Sequence, residues 1–230
     1  MYRFIFIAII LLNTTFAQIG WNYQSPGLTN SVQFVNDFIG YATGSGHTIF
    51  KTEDGGETWS SLYTGISYSS ENAQLGGGKI FFTNTQVGWY VGQQNILLKT
   101  INGGSSWQQL QSGLIVNPNN YLVYTNVQFI DNNLGWVVGY TGSGLNSTGV
   151  ILKTTDGGEN WSHQLLGAYF SSVFFITPQK GWIVGKEGSI FATSDGGNSW
   201  NSQQSGVTNL LTVVSFKNET TGIIVGHGTV

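Results

Sequence analysis

Four segments place an acid or amide beside two glycines and a tryptophan: "TEDGGETW" (52–59), "TINGGSSW" (100–107), "TTDGGENW" (154–161) and "TSDGGNSW" (193–200). The shared residues are Thr52, Asp54, Gly56 and Trp59; Thr100, Asn102, Gly104 and Trp107; Thr154, Asp156, Gly158 and Trp161; Thr193, Asp195, Gly197 and Trp200. A carboxylate in a glycine-rich loop could hold a metal ion or act as an acid or base. It could also accept hydrogen bonds from nearby backbone N–H groups and fix a tight turn. Asn102 favours the turn, because an amide keeps the acceptor oxygen and loses the charge. The acids after the glycines, Glu57 and Glu159, become Ser105 and Asn198 in the other copies, and no Asp-x-Asp ladder follows. Gly-Gly takes positive φ at no steric cost, and the tryptophan is expected to pack between neighbouring repeats.

Other chemistry-bearing residues are sparse. Of five Asp, the two outside these segments are Asp37 and Asp131, expected as turn formers in equivalent loops. His47 and His227 occupy one loop position in two repeats and His163 stands apart; all three are expected at the surface. A histidine pair without a third ligand does not make a zinc site, and nothing in the sequence asks for a cofactor. There is no Cys, so no disulfide framework. Only 8% of residues are charged and the formal net charge is −3. No basic stripe meets phosphates, which argues against a nucleic-acid partner. A content of 14% aromatic and 40% hydrophobic residues instead favours a packed domain.

The elements that position these residues repeat. "GYATG" (40–44), "GWYVG" (88–92), "GWVVG" (135–139), "GWIVG" (181–185) and "GIIVG" (222–226) recur at 41–48 residues. A β-branched residue and a Phe stand eight and six positions before each: Val32/Phe34, Ile80/Phe82, Val127/Phe129, Val173/Phe175 and Val214/Phe216. Each copy holds four short β-branched and aromatic runs bounded by Gly, Asn, Asp and Ser, which are strand signals. Four antiparallel strands per 40–50 residues predict an all-β β-propeller blade. The reading is four complete blades, part of a fifth, and an orphan outer strand, "WNYQSPGL" (21–28), which makes the propeller incomplete at the C-terminus. All eight tryptophans sit at repeat positions.

Residues 1–17, with Arg3, an apolar run and Thr15-Phe16-Ala17, follow a secretory signal pattern. The run is shorter than the roughly 20 residues that span a bilayer. The expectation is a secreted, periplasmic or extracellular propeller over 18–230, with no membrane span.

The Thr-x-Asp/Asn-Gly-Gly-x-x-Trp motif resembles the Asp-box, or BNR repeat, of sialidase-like propellers. "GWVVG" and "VILKTTDGGENW" resemble the photosystem II stability/assembly factor family more closely. That resemblance implies an assembly chaperone that binds membrane-protein intermediates, for which an Arg patch is expected. Arg3 is the only Arg here, which also excludes the sialidase arginine triad from residues 18–230. The alternative is an Asp-box glucanase whose two carboxylates lie in blades outside this chain.

Three lengthened connections, 65–78, 113–125 and 140–149, fall on the propeller face opposite the boxes. Loops on a rigid scaffold carry recognition. Tyr68, Glu71, Asn72, Tyr121, Tyr124 and Asn146 are the candidate binding residues there, for an unidentified protein or glycan.

Overall fold

The computed structural model describes residues 29–66, 77–115, 121–142, 147–167 and 169–228. Four antiparallel four-stranded sheets follow in chain order, then a two-stranded one. Blade one is β1 (Thr29–Phe34), β2 (Gly40–Gly44), β3 (Ile49–Thr52) and β4 (Ser60–Leu62). Blade two is β5 (Lys79–Phe82), β6 (Gly88–Val91), β7 (Leu97–Thr100) and β8 (Gln108–Gln109). Blade three is β9 (Leu122–Phe129), β10 (Gly135–Thr141), β11 (Thr148–Thr154) and β12 (Ser162–Leu165). Blade four is β13 (Phe170–Phe175), β14 (Gly181–Gly185), β15 (Ile190–Thr193) and β16 (Asn201–Gln203). The final hairpin is β17 (Leu211–Asn218) and β18 (Thr221–Gly226). The first strands of successive blades lie side by side, as in a propeller. The candidate signal and the orphan strand, 1–28, lie outside the described residues. Among the described residues no helix is long and apolar enough to cross a membrane.

The core sits between blades, one apolar cluster per seam. The second residue of each glycine-bounded strand crosses the seam and stacks on the next blade's Phe. Trp89 lies on Phe129 and Trp136 on Phe175, each with ring centroids 3.5 Å apart, and Trp182 lies on Phe216 at 3.6 Å. Tyr41 does the same on Phe82 at 3.6 Å. Three of these rings also donate across the seam. Trp89 Nε1 bonds Gly157 O and Trp136 Nε1 bonds Gly196 O, both at 3.1 Å, and Tyr41 Oη bonds Gly103 O at 3.3 Å. The box tryptophan completes the arrangement from within its own blade: Trp161 meets Phe129 edge-on at 83°, and Trp200 meets Phe175 at 81°. The box tryptophan also packs between blades as expected: Trp107, Trp161 and Trp200 each lie against a cluster shared with the preceding blade. Its primary aromatic partner is its own blade's Phe, and the strand-two aromatic makes the stack between blades.

This sandwich explains the leading glycine of each repeat. A Cβ at Gly135 would stand 2.3 Å from the Phe129 ring, and one at Gly181 2.6 Å from Phe175. Only a bare backbone leaves the ring room to lie flat.

Polar groups reinforce the same seams. Gln33 and Gln128 each pair an amide side chain with the backbone of the next blade's Phe, at Phe82 and Phe175. Bulges in the first strands of blades three and four present Thr125 and Ser171. Each hydroxyl faces two carbonyls, one in its own blade and one in the next.

Candidate functional site

The box face carries the carboxylates of the repeated motif. Asp54 Oδ1 accepts from Thr52 Oγ1 at 2.7 Å and from the Thr58 backbone N at 2.9 Å, while Oδ2 accepts from Thr58 Oγ1 at 2.5 Å. Thr52 Oγ1 in turn accepts from Gly56 N at 2.9 Å. The same set recurs around Asp156 and Asp195. In box two the polarity reverses: Asn102 Nδ2 donates to Ser106 Oγ at 2.9 Å, and its Oδ1 keeps the two acceptor roles. These bonds favour the ionised form. They hold the Asp54 carboxyl at about 2, led by the Thr58 hydroxyl, and Asp156 at about 2, led by the Asn160 N–H. Asp195 is lowered further by Ser199. Such carboxyls are poor proton carriers near neutral pH.

The one-to-two turns on this face follow a parallel rule. Asn36, Asn84, Asp131, Thr177 and Asn218 each accept from the backbone N–H groups two and three residues on. Asp131 fills the turn-forming role expected of it. Asp37 does not: Asn36, one residue earlier, makes the bonds, and Asp37 stands exposed. Among the described residues, no three His, Cys, Asp or Glu come together as a metal site.

The opposite face, carrying the four-to-one and two-to-three connections, is less regular. Tyr68, Glu71, Asn72 and Asn146 lie outside the described residues. Tyr121 is 70% exposed, and its carbonyl accepts from Gly142 N at 3.0 Å, tying two connections together. Tyr124 is corrected: it is 2% exposed, and its hydroxyl donates to Asn95 Oδ1 at 2.8 Å. Burial pushes its phenol up to about 12. The cause is that blade three's second hairpin runs long, to the pair Thr141–Thr148, and β9 pairs along it from Leu122. Part of each presumed loop is strand.

Two residues not singled out from sequence join Tyr121. Tyr140 and Tyr169 meet with ring centroids 4.7 Å apart, both half-buried and both shifted upward by burial. Tyr140 follows "GWVVG" where Ser45, Gln93 and Lys186 stand in other blades, and that departure from the repeat was the available signal.

His47 is also corrected. It is fully buried, with Nδ1 2.6 Å from the Tyr90 hydroxyl of the next blade. Its backbone sits at φ 58°, which turns the ring inward. Tyr90 Oη also accepts from Gly78 N at 3.0 Å, which ties the imidazole to the next blade's backbone through one hydroxyl. Burial lowers the His47 pKa. His163 and His227 are exposed as expected.

A family model described as photosynthesis system II assembly factor YCF48 matches residues 14–114 and 165–230. No curated protein matches significantly. Among solved structures, YCF48 bound to a D1 peptide is 19% identical, over 89% of this chain and 92% of that one, with a TM-score of 0.34. The GH74 enzyme of Niastella koreensis is 17% identical, over 75% of this chain and 28% of that one, with a TM-score of 0.59. The GH74 xyloglucanase of Xanthomonas campestris is 12% identical, over 82% of this chain and 33% of that one, with a TM-score of 0.61. The two GH74 likenesses show the propeller fold, and the chain spans about a third or less of those enzymes.

Proposed function

The chain belongs to the photosynthesis system II assembly factor YCF48 family, and from that membership we propose that it is an exported, non-enzymatic propeller that holds a protein partner on the face opposite its Asp-boxes. One observation carries the reading. Tyr121 stands exposed, with its carbonyl bonded to Gly142 N two residues after Tyr140, whose ring meets Tyr169, on the face where connection lengths vary. Tyrosine offers a large, stiff, amphipathic contact, which suits protein recognition.

The box face supports the same division of labour. Its carboxylates are engaged in their own turns, which leaves them as clasps rather than contacts. Hydrolysis by two carboxylates needs an acid held neutral and a partner across the bond. Asp54 and Asp156 are instead held ionised. The GH74 likeness extends to fold alone.

The test is a peptide-display selection on the immobilised chain, alongside an aryl-glycoside hydrolysis screen. The expected result is no turnover, and selected peptides that bind about tenfold more weakly to Tyr121→Ser or Tyr140→Ala and equally well to Asp54→Asn. Glycoside turnover, or binding that follows the box variants instead, would overturn the reading.

A further inference from the structure

We propose that a cavity in blade four is a binding site for a neutral saccharide unit, separate from the tyrosine patch. The cavity measures about 460 Å³ and lies between the Lys186–Gly188 turn and the Ser205–Thr208 connection. That volume suits a small ligand.

Its origin is a local departure from the repeat. Thr64, Ser112 and Ser205 begin matching turns, each accepting from the backbone N two residues on. In blades one and two the residue that follows the turn glycine, Ile66 or Leu114, packs against a core cluster. In blade four its counterpart, Val207, is 48% exposed and lines the cavity instead.

The lining has the chemistry of sugar recognition. Phe191 contributes an aromatic surface and is braced by buried Phe170 at 84°. The C–H face of a pyranose packs on such a ring, while its hydroxyls need donors and acceptors around the rim. Gln203 and Thr208 supply them.

Charge narrows the ligand further. Lys186 and Glu187 stand 4.0 Å apart in the lining and offset each other, which favours a neutral ligand over an anion or cation. Glu187 holds φ 58°, as Gly46 and Gln94 do at 62° and 58° in the same turn of blades one and two, so its backbone belongs to the repeat. It is the only carboxylate in the lining. Two-carboxylate hydrolysis therefore has no second acid here, and the site binds rather than cleaves.

The test is saturation-transfer NMR on the whole chain with cellobiose, maltose and N,N′-diacetylchitobiose as probes. At least one is expected to bind in the millimolar range, with little change at high salt. Thr208→Trp, at an exposed rim position, plugs the cavity and is expected to abolish the signal. Gln203→Ala is expected to weaken binding about tenfold. Tyr121→Ser is expected to leave it unchanged, which separates this site from the peptide face. No binding by any probe, or binding undiminished in the plugged variant, would overturn the proposal. So would a display-selected peptide that Thr208→Trp displaces while no saccharide binds.

Discussion

The two faces of this propeller come from the same repeat and use their residues differently. On the box face each of the four four-stranded blades solves one problem in one way: a threonine, an Asp or Asn, and two glycines close the third hairpin, and a tryptophan braces the blade's own Phe. On the loop face the connections differ between blades, and Tyr140 stands where other blades have Ser45, Gln93 or Lys186. The comparison teaches that invariance within one chain marks structure. Where a side chain recurs at every blade, its bonds are accounted for by the hairpin or the seam. Departures such as Tyr140 and Val207 are where surface is left to use.

The comparison breaks most visibly at a seam. Phe175→Ala removes a ring stacked by Trp136 and met edge-on by Trp200. It should cost about 4 kcal/mol, read as a large fall in the melting temperature. Gly135→Ala should follow at about 2 kcal/mol, because its new methyl meets the Phe129 ring. An unchanged melting temperature in either variant would remove the sandwich from the account.

The boxes sharpen the comparison at a finer level. Asp54 accepts from the Thr58 hydroxyl, which can turn round and accept, as Ser106 does for Asn102. The exposed Asn160 amide, which donates to Asp156, can likewise flip and accept through its oxygen. Asp54→Asn and Asp156→Asn should therefore each lower the melting temperature only slightly near pH 7. A large loss in either would mean that charge, not hydrogen-bond polarity, sets the turn.

Acid titration gives a smaller effect, since these groups are exposed. The folded carboxyls of Asp54 and Asp156 sit at about 2, below the ordinary 3.8. A depressed folded value contributes stability that is fully present above the ordinary value and is lost as pH falls through about 2. The melting temperature should decline across that window. The decline should be shallower in Asp54→Asn, and box two, with Asn102, takes no part. The smallest stability effect belongs to the other face: Tyr121→Ser should change stability by no more than about 0.5 kcal/mol.

The strands were legible because their spacing is fixed by blade geometry. A glycine needed under a ring and a threonine needed at a turn recur at set offsets whatever surrounds them. The partnership of rings was less legible, since sequence gives the positions of Trp136 and Phe175 but not which blade each faces. Tyr124 was misread because strand length depends on pairing: a long β10–β11 hairpin draws four presumed loop residues, Leu122 to Thr125, into β9. His47 was misread because a turn at positive φ can direct a polar ring inward as readily as outward. Asp37 was misread by one residue, and an Asx turn tolerates no such shift.

The division between the faces is tested most directly by hydrogen exchange with a display-selected peptide bound. The account predicts slowed exchange at 121–142 and around Tyr169, with the box turns at 54–58 and 156–160 unchanged. Protection at the box turns, with none at the tyrosine patch, would contradict it.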